Sequence, residues 1–298
     1  FTIPSLSTLS PQVNVNATVG INVNTSNEIA DVLPTHFGTN LTHFLGESSL
    51  AEQDFMSNLD NLGDVFFRYP GRNGSNQFFW DGNIPSSILN DAAITVNDLI
   101  DGSGWRISPD DFTNVLAQTN SNGIIAVNAS YARYGTDPNA LEIAAGYAAD
   151  FVRHMNNDLN ANIKYWEVGN ENYGQWQAGY EVNGNQIDGT DYGNIFNVFV
   201  DSMKAADPTI KIGAVIFPQD NNYNNWTRKV LQEVENSADF LIIHDYFKRK
   251  NNPNNVTYPE MMIAVSEVEE DVDNVNNMVA SYTSCLLYTS DAADESVC

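Results

Sequence analysis

The stretch Lys164-Tyr165-Trp166-Glu167-Val168-Gly169-Asn170-Glu171-Asn172 decides the fold of this chain. Its aromatic and branched residues favour a β-strand, and that strand ends in an Asn-Glu pair. A carboxyl group at the end of such a strand is held among the loops of a parallel sheet, where it can act as a general acid or base. Glu171 is therefore the first catalytic candidate.

Five further β-rich segments repeat this pattern on both sides of it. The six predicted strands cover residues 35–40, 65–70, 123–130, 164–171, 211–217 and 240–247. The segments between them carry helical periodicity, as in residues 143–155 and 195–206, and Asp207-Pro208 stops the second of these helices. In the first helix, a single stripe is expected to be buried: Ile143, Ala144, Tyr147, Ala148 and Phe151. Strands that alternate with helices predict an α/β fold with a parallel sheet.

Polar residues gather at the C-terminal ends of the predicted strands. They are Asn40, Arg68, Asn128, Asn170, Glu171, His244 and Tyr246. A (β/α)8 barrel, the TIM barrel, brings these ends together in one mouth, and about six of its βα units are recognised here. A doubly wound sheet predicts the same alternation, but no glycine-rich phosphate-binding turn follows the first strand. The barrel is therefore the favoured architecture.

The charge of the chain excludes several kinds of partner. Asp and Glu number 38 against 13 Lys and Arg, for a formal charge of -25, which repels phosphate backbones and anionic lipid. We therefore expect neither nucleic acid nor a membrane as partner. An acidic surface of this kind also predicts a secreted protein of bacterial type. The residues show no metal-ligand spacing and no nucleotide motif, so neither a metal nor another cofactor is expected.

Three motifs carry a resemblance to a known group of enzymes. They are Trp166-Glu167-Val168-Gly169-Asn170-Glu171-Asn172-Tyr173-Gly174, then Phe67-Arg68-Tyr69-Pro70-Gly71 with Ser75-Asn76 and Trp80-Asp81, and His244-Asp245-Tyr246. Together they resemble the arabinofuranosidase-like families of the retaining (β/α)8-barrel glycosidases. The resemblance implies that Glu171 is the general acid/base and that Asn170 binds the sugar 2-hydroxyl. It also implies that Arg68 and Tyr246 flank the nucleophile.

The remaining site candidates have two interpretations each. His244 and Tyr246 alternate along strand six, so both are expected at the barrel mouth, the alternative being a packed aromatic pair. Trp80 and Trp176 lie in loops, where they either stack on a sugar or fill the core. Asn128 completes the expected substrate-binding set.

Two other carboxyls are weighed against Glu171. Glu167 precedes it by four residues on the same predicted strand face, and either shapes the site or is a buried acid satisfied by hydrogen bonds. Glu267 could be a nucleophile after a short strand. The alternative is an amphipathic helix with Glu267 in solvent, favoured by the spacing of the apolar residues Met262, Ile263, Val265, Val268, Val272, Val275 and Met278.

The resemblance also implies parts that this sequence does not display. The nucleophile of these families is a Glu at the end of strand seven, and no such motif follows His244. Residues 285–298 resemble a translated sequencing adapter, so we expect the natural sequence to depart from this one near Ser284 and the 298-residue chain to be inactive. Residues 1–30, with an alternating stretch at 13–19, are expected to join an accessory β-sandwich, and residues 31–284 to form an incomplete catalytic barrel.

The resemblance implies a retaining glycoside hydrolase, an α-L-arabinofuranosidase acting on plant or algal oligo- or polysaccharide. Two alternatives stay open. One is an endo-β-glycanase or agarase of the same barrel type, and the other is a carbohydrate-binding barrel without catalysis.

Overall fold

The computed structural model describes residues 36–88, 100–101, 106–244 and 257–283. Within these ranges, six strands form one parallel sheet, and each coincides with a predicted strand. They are β1 (Gly38–Asn40), β2 (Phe66–Tyr69), β3 (Asn122–Val127), β4 (Tyr165–Val168), β5 (Lys211–Val215) and β6 (Phe240–Ile242). The predicted residues 245–247 of the sixth strand lie outside the described residues.

The strands stand in the sheet in the order in which they occur in the chain. Every neighbouring pair is parallel, from β1 beside β2 to β5 beside β6. A doubly wound sheet reverses its order at a switch point, whereas a barrel adds each strand to the same edge. The observed order is that of a (β/α)8 barrel, and six of its strands are described here.

Helices cover the outer side of this sheet. Their bounds are α1 (Glu47–Leu50), α2 (Gln53–Asp60), α3 (Pro109–Thr119), α4 (Tyr131–Tyr134), α5 (Ala140–Arg153), α6 (Gly189–Ala206), α7 (Trp226–Val234) and α8 (Tyr258–Tyr282). A π-helical turn, His154–Asp158, follows α5, and a 3-10 helix, Asn73–Gln77, follows β2. Two short ladders complete the described elements, Phe78–Phe79 with Ile100–Asp101 and Glu181–Val182 with Asn185–Gln186.

Side chains from alternate strands meet inside the barrel sheet. Phe66 of β2, Tyr165 of β4 and Phe240 of β6 make edge-to-face contacts, with the Tyr165 centroid 5.6 Å and 5.9 Å from the other two. Because strand side chains alternate, Arg68 and Glu167 form the next level on the same face, two residues nearer the mouth. Gly213 of β5 leaves room for the Phe240 ring, since a Cβ there would lie 2.6 Å from its Cζ atom.

The opposite face of the sheet packs against the helices and forms the main core. Trp166 of β4 is fully buried there, and its ring contacts Phe151 of α5 edge-on. Tyr192, Phe196 and Phe199 of α6 are also fully buried. This core fixes where β4 ends, and hence where its terminal polar residues lie.

Two helices place their apolar residues differently from the predicted stripes. In α5 the buried side is Ala144, Ala145, Ala148, Ala149, Phe151 and Val152, whereas Ile143 is 40% exposed. In α8, Met278 and Val279 are buried with Asp271, whereas Val268 and Val272 are exposed. The helix predicted around Glu267 is observed, and Glu267 lies inside α8 and not at the end of a strand.

Several predicted features lie outside the described residues. They are the N-terminal β segment 1–30, Asp245 and Tyr246, and the tail 285–298. Among the helices that are described, none is both long and apolar enough to cross a membrane.

Candidate active site

Glu171 is held in a turn that begins directly after β4. The strand ends at Val168, and Gly169 takes a φ of +84°, which an L side chain rarely adopts. A Cβ on Gly169 would also lie 3.1 Å from the Cβ of Ala129 and would collide with the Asn172 amide. Glu171 itself has a φ of +45°. Since left-handed backbone at a non-glycine residue is costly, the surrounding structure must hold the carboxyl in place.

The Glu171 carboxyl is buried and contacted by two aromatic nitrogens. Only 6% of the residue is exposed. Trp176 Nε1 donates to Oε2 at 2.8 Å, and His244 Nδ1 lies 2.9 Å from Oε1. When Glu171 carries a proton on Oε1, that proton can be donated to Nδ1 of a neutral His244. When the carboxyl is ionised, a protonated Nδ1 donates in the other direction. This contact can therefore exist in both protonation states of the acid.

A second network joins β2 to β4 beside this carboxyl. Arg68 Nε and Nη2 donate to Oε2 of Glu167 at 2.8 and 2.5 Å, and Nη2 also reaches Oδ1 of Asn170 at 3.1 Å. Nη1 lies 3.4 Å from Oδ1 of Asn40, at the end of β1. Glu167 is only 3% exposed, so its charge is compensated by the guanidinium. Arg68 thereby fixes the orientation of the Asn170 amide.

Glu167 and Glu171 have separate surroundings although the sequence places them four residues apart. The left-handed turn at Gly169 interrupts the alternation of the strand, so the predicted shared face does not continue to Glu171. Glu167 contacts Arg68, whereas Glu171 contacts Trp176 and His244. The contacts of Glu167 match the second of its two interpretations, a buried acid satisfied by hydrogen bonds.

The backbone of the Asn170-Glu171 turn is attached to neighbouring loops. Asn76 Nδ2 donates to the carbonyl of Asn170 at 2.7 Å, and Asn172 Nδ2 donates to Ser130 Oγ at 3.2 Å. Asn76 and Asn172 are both buried. These contacts give a physical reason for the Ser75-Asn76 part of the motif, whose role the sequence alone does not reveal.

Four of the other predicted site residues adjoin Glu171 in the structure. Asn170 precedes it and binds Arg68, whereas His244 and Trp176 contact its carboxyl. Trp176 is 43% exposed and so presents its ring to solvent beside the acid. Tyr246 lies outside the described residues. Among the described residues, no group of three His, Cys, Asp or Glu side chains could hold a metal ion.

Asn128 and Trp80 use their side chains elsewhere. Asn128 Nδ2 donates to the Tyr134 hydroxyl at 2.7 Å, and its Oδ1 accepts from the backbone N–H of Tyr131, so the amide organises the loop after β3. The Trp80 ring stacks on Phe151 at 5.3 Å and on His154 at 4.9 Å. Of the two interpretations of Trp80, these contacts match core packing against α5.

Sequence reasoning missed Tyr223 in the loop after β5. Its ring centroid lies 4.6 Å from that of Tyr173 and 6.3 Å from that of Trp176, so Tyr173 and Tyr223 pack around the indole that contacts the acid. The sequence did contain a signal for Tyr223. It is the one aromatic residue among four asparagines that follow Pro218-Gln219-Asp220, in a loop after a barrel strand.

The sequence comparisons give consistent relatives. No family model matches the chain. An intracellular exo-α-(1→5)-L-arabinofuranosidase of Acetivibrio thermocellus is 25% identical over 219 residues, which cover 67% of this chain and 40% of the relative. Its counterpart in Bacillus subtilis is 23% identical over 212 residues, with the same shares. The chain thus spans 40% of the length of these curated relatives.

Solved structures agree on the fold. A family 51 α-L-arabinofuranosidase from Bifidobacterium longum matches with a TM-score of 0.63 and 20% identity over 90% of this chain and 55% of that one. The α-L-arabinofuranosidase of Thermotoga maritima matches with a TM-score of 0.60 and 21% identity over 82% of this chain and 51% of that one.

A buried carboxyl after the fourth strand of a barrel sheet is the arrangement that (β/α)8-barrel glycosidases need for a general acid. The chain is similar in sequence to α-L-arabinofuranosidases and shares their fold. The predicted barrel and the resemblance to arabinofuranosidase-like glycosidases are confirmed. The prediction of a secreted protein is wrong, because three of the curated relatives are named as intracellular enzymes. An acidic composition reports on the solvated surface and is a poor guide to the compartment.

Proposed function

We propose that the full-length protein hydrolyses α-L-arabinofuranosides with retention of configuration, with Glu171 as general acid and then base. One observation carries this proposal: a buried carboxyl at the end of β4 has a ring nitrogen at each of its two oxygens. Residues 31–284 would belong to the catalytic barrel, and residues 1–30 to an accessory β-sandwich. The names of the relatives support arabinofuranose as the sugar, carried on an oligo- or polysaccharide.

In the first step, Glu171 gives its proton to the glycosidic oxygen as the bond between that oxygen and the anomeric carbon breaks. A carboxylate from a later strand, which the resemblance implies, forms the new bond to the anomeric carbon. The alcohol then leaves. In the second step, the ionised Glu171 takes a proton from water, which attacks the same carbon and releases the sugar. His244, at Oε1, can contact the carboxyl in both states.

Glu167 is not offered as the nucleophile. Its Oε2 atom already accepts two hydrogen bonds from Arg68, and it lies on the same strand that presents Glu171. A retaining enzyme needs the second carboxyl on the opposite side of the sugar, about 5 Å from the first. We instead assign the Arg68–Glu167 pair the task of orienting Asn170, whose amide would bind the sugar 2-hydroxyl.

Hydrolysis by the full-length protein tests this proposal. With 4-nitrophenyl α-L-arabinofuranoside, we expect turnover by the wild type and a loss of about 10²- to 10⁴-fold in kcat for Glu171→Gln, since that is the usual contribution of a general base to the second step. The matched control is Glu142→Gln on the exposed side of α5, which should keep wild-type activity. Glu171→Ala supplied with azide should regain turnover and form the retained glycosyl azide, because azide attacks without a base.

The other candidate functions give different results in the same assay. An endo-β-glycanase or agarase would cleave internal bonds of a β-glycan and leave the arabinofuranoside intact. A sugar-binding barrel would bind arabinose and hydrolyse neither substrate. Equal activity of the wild type and Glu171→Gln would also refute the role assigned to this residue.

A further inference from the structure

A cleft of about 280 Å³ adjoins the loop that carries Glu171. It lies between the loop after β4 and the loop after β5, and its polar and aromatic lining includes Tyr173, Tyr180, Tyr223, Asp188, Asp191 and Asn224. Its volume is close to the roughly 300 Å³ at which ligand pockets begin. Aromatic rings with a few convergent polar groups are the lining expected of a saccharide site.

A chain of ring contacts connects this cleft to the acid. Trp176 donates to the Glu171 carboxyl, Tyr223 packs edge-on against Trp176, and Tyr223 also lines the cleft. Trp176 is 43% exposed and Tyr223 is 38% exposed, so both rings offer a surface on which a sugar ring can stack. A substrate at Glu171 can therefore extend over these two rings into the cleft.

The backbone holds Tyr223 in a conformation that costs free energy. Tyr223, Asn224 and Asn225 have consecutive φ values of 49°, 58° and 57°. Asparagine tolerates the left-handed region, but a tyrosine there costs about 1–2 kcal/mol. Strain of this kind concentrates at binding and catalytic sites. It is thus an observation independent of the cleft that points to a functional role for this loop.

The charges at the rim favour an uncharged ligand. Asp188 contacts Lys229 at 2.7 Å, and Asp191 lies 3.7 Å from Arg133, so each carboxylate is already compensated. A uronate or a phosphate would have to displace these pairs beside two carboxylates. A neutral sugar can instead place its hydroxyls against the amide and phenol groups of the lining.

We propose that this cleft is a subsite for the leaving-group side of the substrate, and that it binds a neutral saccharide unit stacked on Tyr223. The inference rests on the proposed function, because the acid protonates the leaving oxygen and so lies nearest the leaving group. Trp176 then marks the boundary between the sugar that is cleaved and the saccharide that departs.

The test compares two substrates on the full-length protein. α-1,5-Linked L-arabinotriose reaches the cleft, whereas methyl α-L-arabinofuranoside does not. Tyr223→Asn removes the ring and suits the left-handed backbone, and urea unfolding checks that the variant is folded. We expect kcat/KM for arabinotriose to fall by at least about tenfold, as for an aromatic contact in a binding site, with no change for the methyl glycoside. Tyr223→Phe keeps the ring and should retain activity on both substrates.

Equal effects of Tyr223→Asn on both substrates, or no effect on either, would overturn the subsite. Failure of the wild type to hydrolyse either substrate would refute the proposed function instead. In that case, binding tests the cleft separately. Tryptophan fluorescence measures the Kd of each sugar for the inactive Glu171→Gln variant, with and without Tyr223→Asn. A Kd for arabinotriose that rises about tenfold on adding Tyr223→Asn, with the Kd for arabinose unchanged, supports the subsite. Equal Kd values with and without the ring reject it.

Discussion

The guanidinium of Arg68 engages one oxygen of Glu167 through two nitrogens, Nε at 2.8 Å and Nη2 at 2.5 Å. The pair lies inside the barrel sheet, where both side chains are largely removed from water. Buried pairs of this kind contribute little net stability, but removing one partner leaves a charge without compensation.

This relationship gives a first prediction on stability. Arg68→Met should lower the free energy of unfolding by about 3–5 kcal/mol, because the Glu167 carboxylate would stay buried without its guanidinium. Glu167→Met in the same background should recover much of that loss. Urea unfolding of the wild type, both single variants and the double variant measures the coupling. Simple additivity of the two losses would show that the pair does not act as a unit.

A second prediction concerns Trp176, whose indole N–H donates to Glu171. Trp176→Phe keeps an aromatic ring but removes this hydrogen bond to the acid. Hydrogen bonds to charged groups contribute about 1.5–3 kcal/mol, so kcat/KM of the full-length protein should fall about 10- to 100-fold. Trp80→Phe is the matched control, since it also loses one indole hydrogen bond. That bond is donated at 3.2 Å to the carbonyl oxygen of Tyr147 in α5 and not to Glu171. A comparable loss of activity in both variants would contradict the role of Trp176.

A third prediction concerns the hydroxyl of Tyr192, which joins β4 to β5. It donates to Val168 O and accepts from the backbone N–H of Val215, both at 2.8 Å. Burial raises the pKa of this hydroxyl, so it keeps its proton and its donor role. Tyr192→Phe leaves both backbone groups unsatisfied, and we expect a loss of about 2 kcal/mol in urea unfolding. A loss below about 0.5 kcal/mol would mean that the strand ends reorganise.

A fourth prediction concerns His43, which is fully buried with Nδ1 3.1 Å from Pro70 O. Burial lowers its pKa from 6.5 to about 4. Between these values the unfolded chain binds a proton that the folded protein does not, so stability decreases as the pH falls through this window. The free energy of unfolding decreases by about 3 kcal/mol across this window, and this part of the stability is absent below pH 4. The difference in unfolding free energy between the wild type and His43→Gln should therefore narrow from pH 7 to pH 4. Parallel curves would refute this.

The sequence predicted the strands better than the site. β-Rich runs between helical segments located the six strands of the described sheet, but the predicted fourth strand ran to Glu171, three residues past its observed end. Gly169 allows both extended and left-handed backbone, and its observed φ of +84° and the close approach of Asn172 and Ala129 are set by the folded structure. Such a contact depends on neighbouring loops, so no local pattern reveals it.

Loop aromatics were the least predictable part of the site. Trp80, Trp176 and Tyr223 all lie outside the barrel strands and helices, yet Trp80 stacks on α5, whereas Trp176 contacts the acid and Tyr223 packs on Trp176. The course of each loop over the barrel decides the outcome. The errors in the predicted burial of Ile143 and Val272 have a similar cause. Helical periodicity defines an apolar stripe but does not say which side of the helix another element covers.

The sequential order of the strands has a consequence for how the protein is made. Each of β2 to β6 pairs with the strand that the ribosome has produced just before it. A growing chain can therefore extend its sheet by one βα unit at a time, and no strand has to wait for a distant segment to emerge. Contacts between strands that are near neighbours in the chain cost less loop-closure entropy than contacts between distant strands. β4, which leads into the turn that carries Glu171, would then be paired with both β3 and β5 before β6 leaves the ribosome.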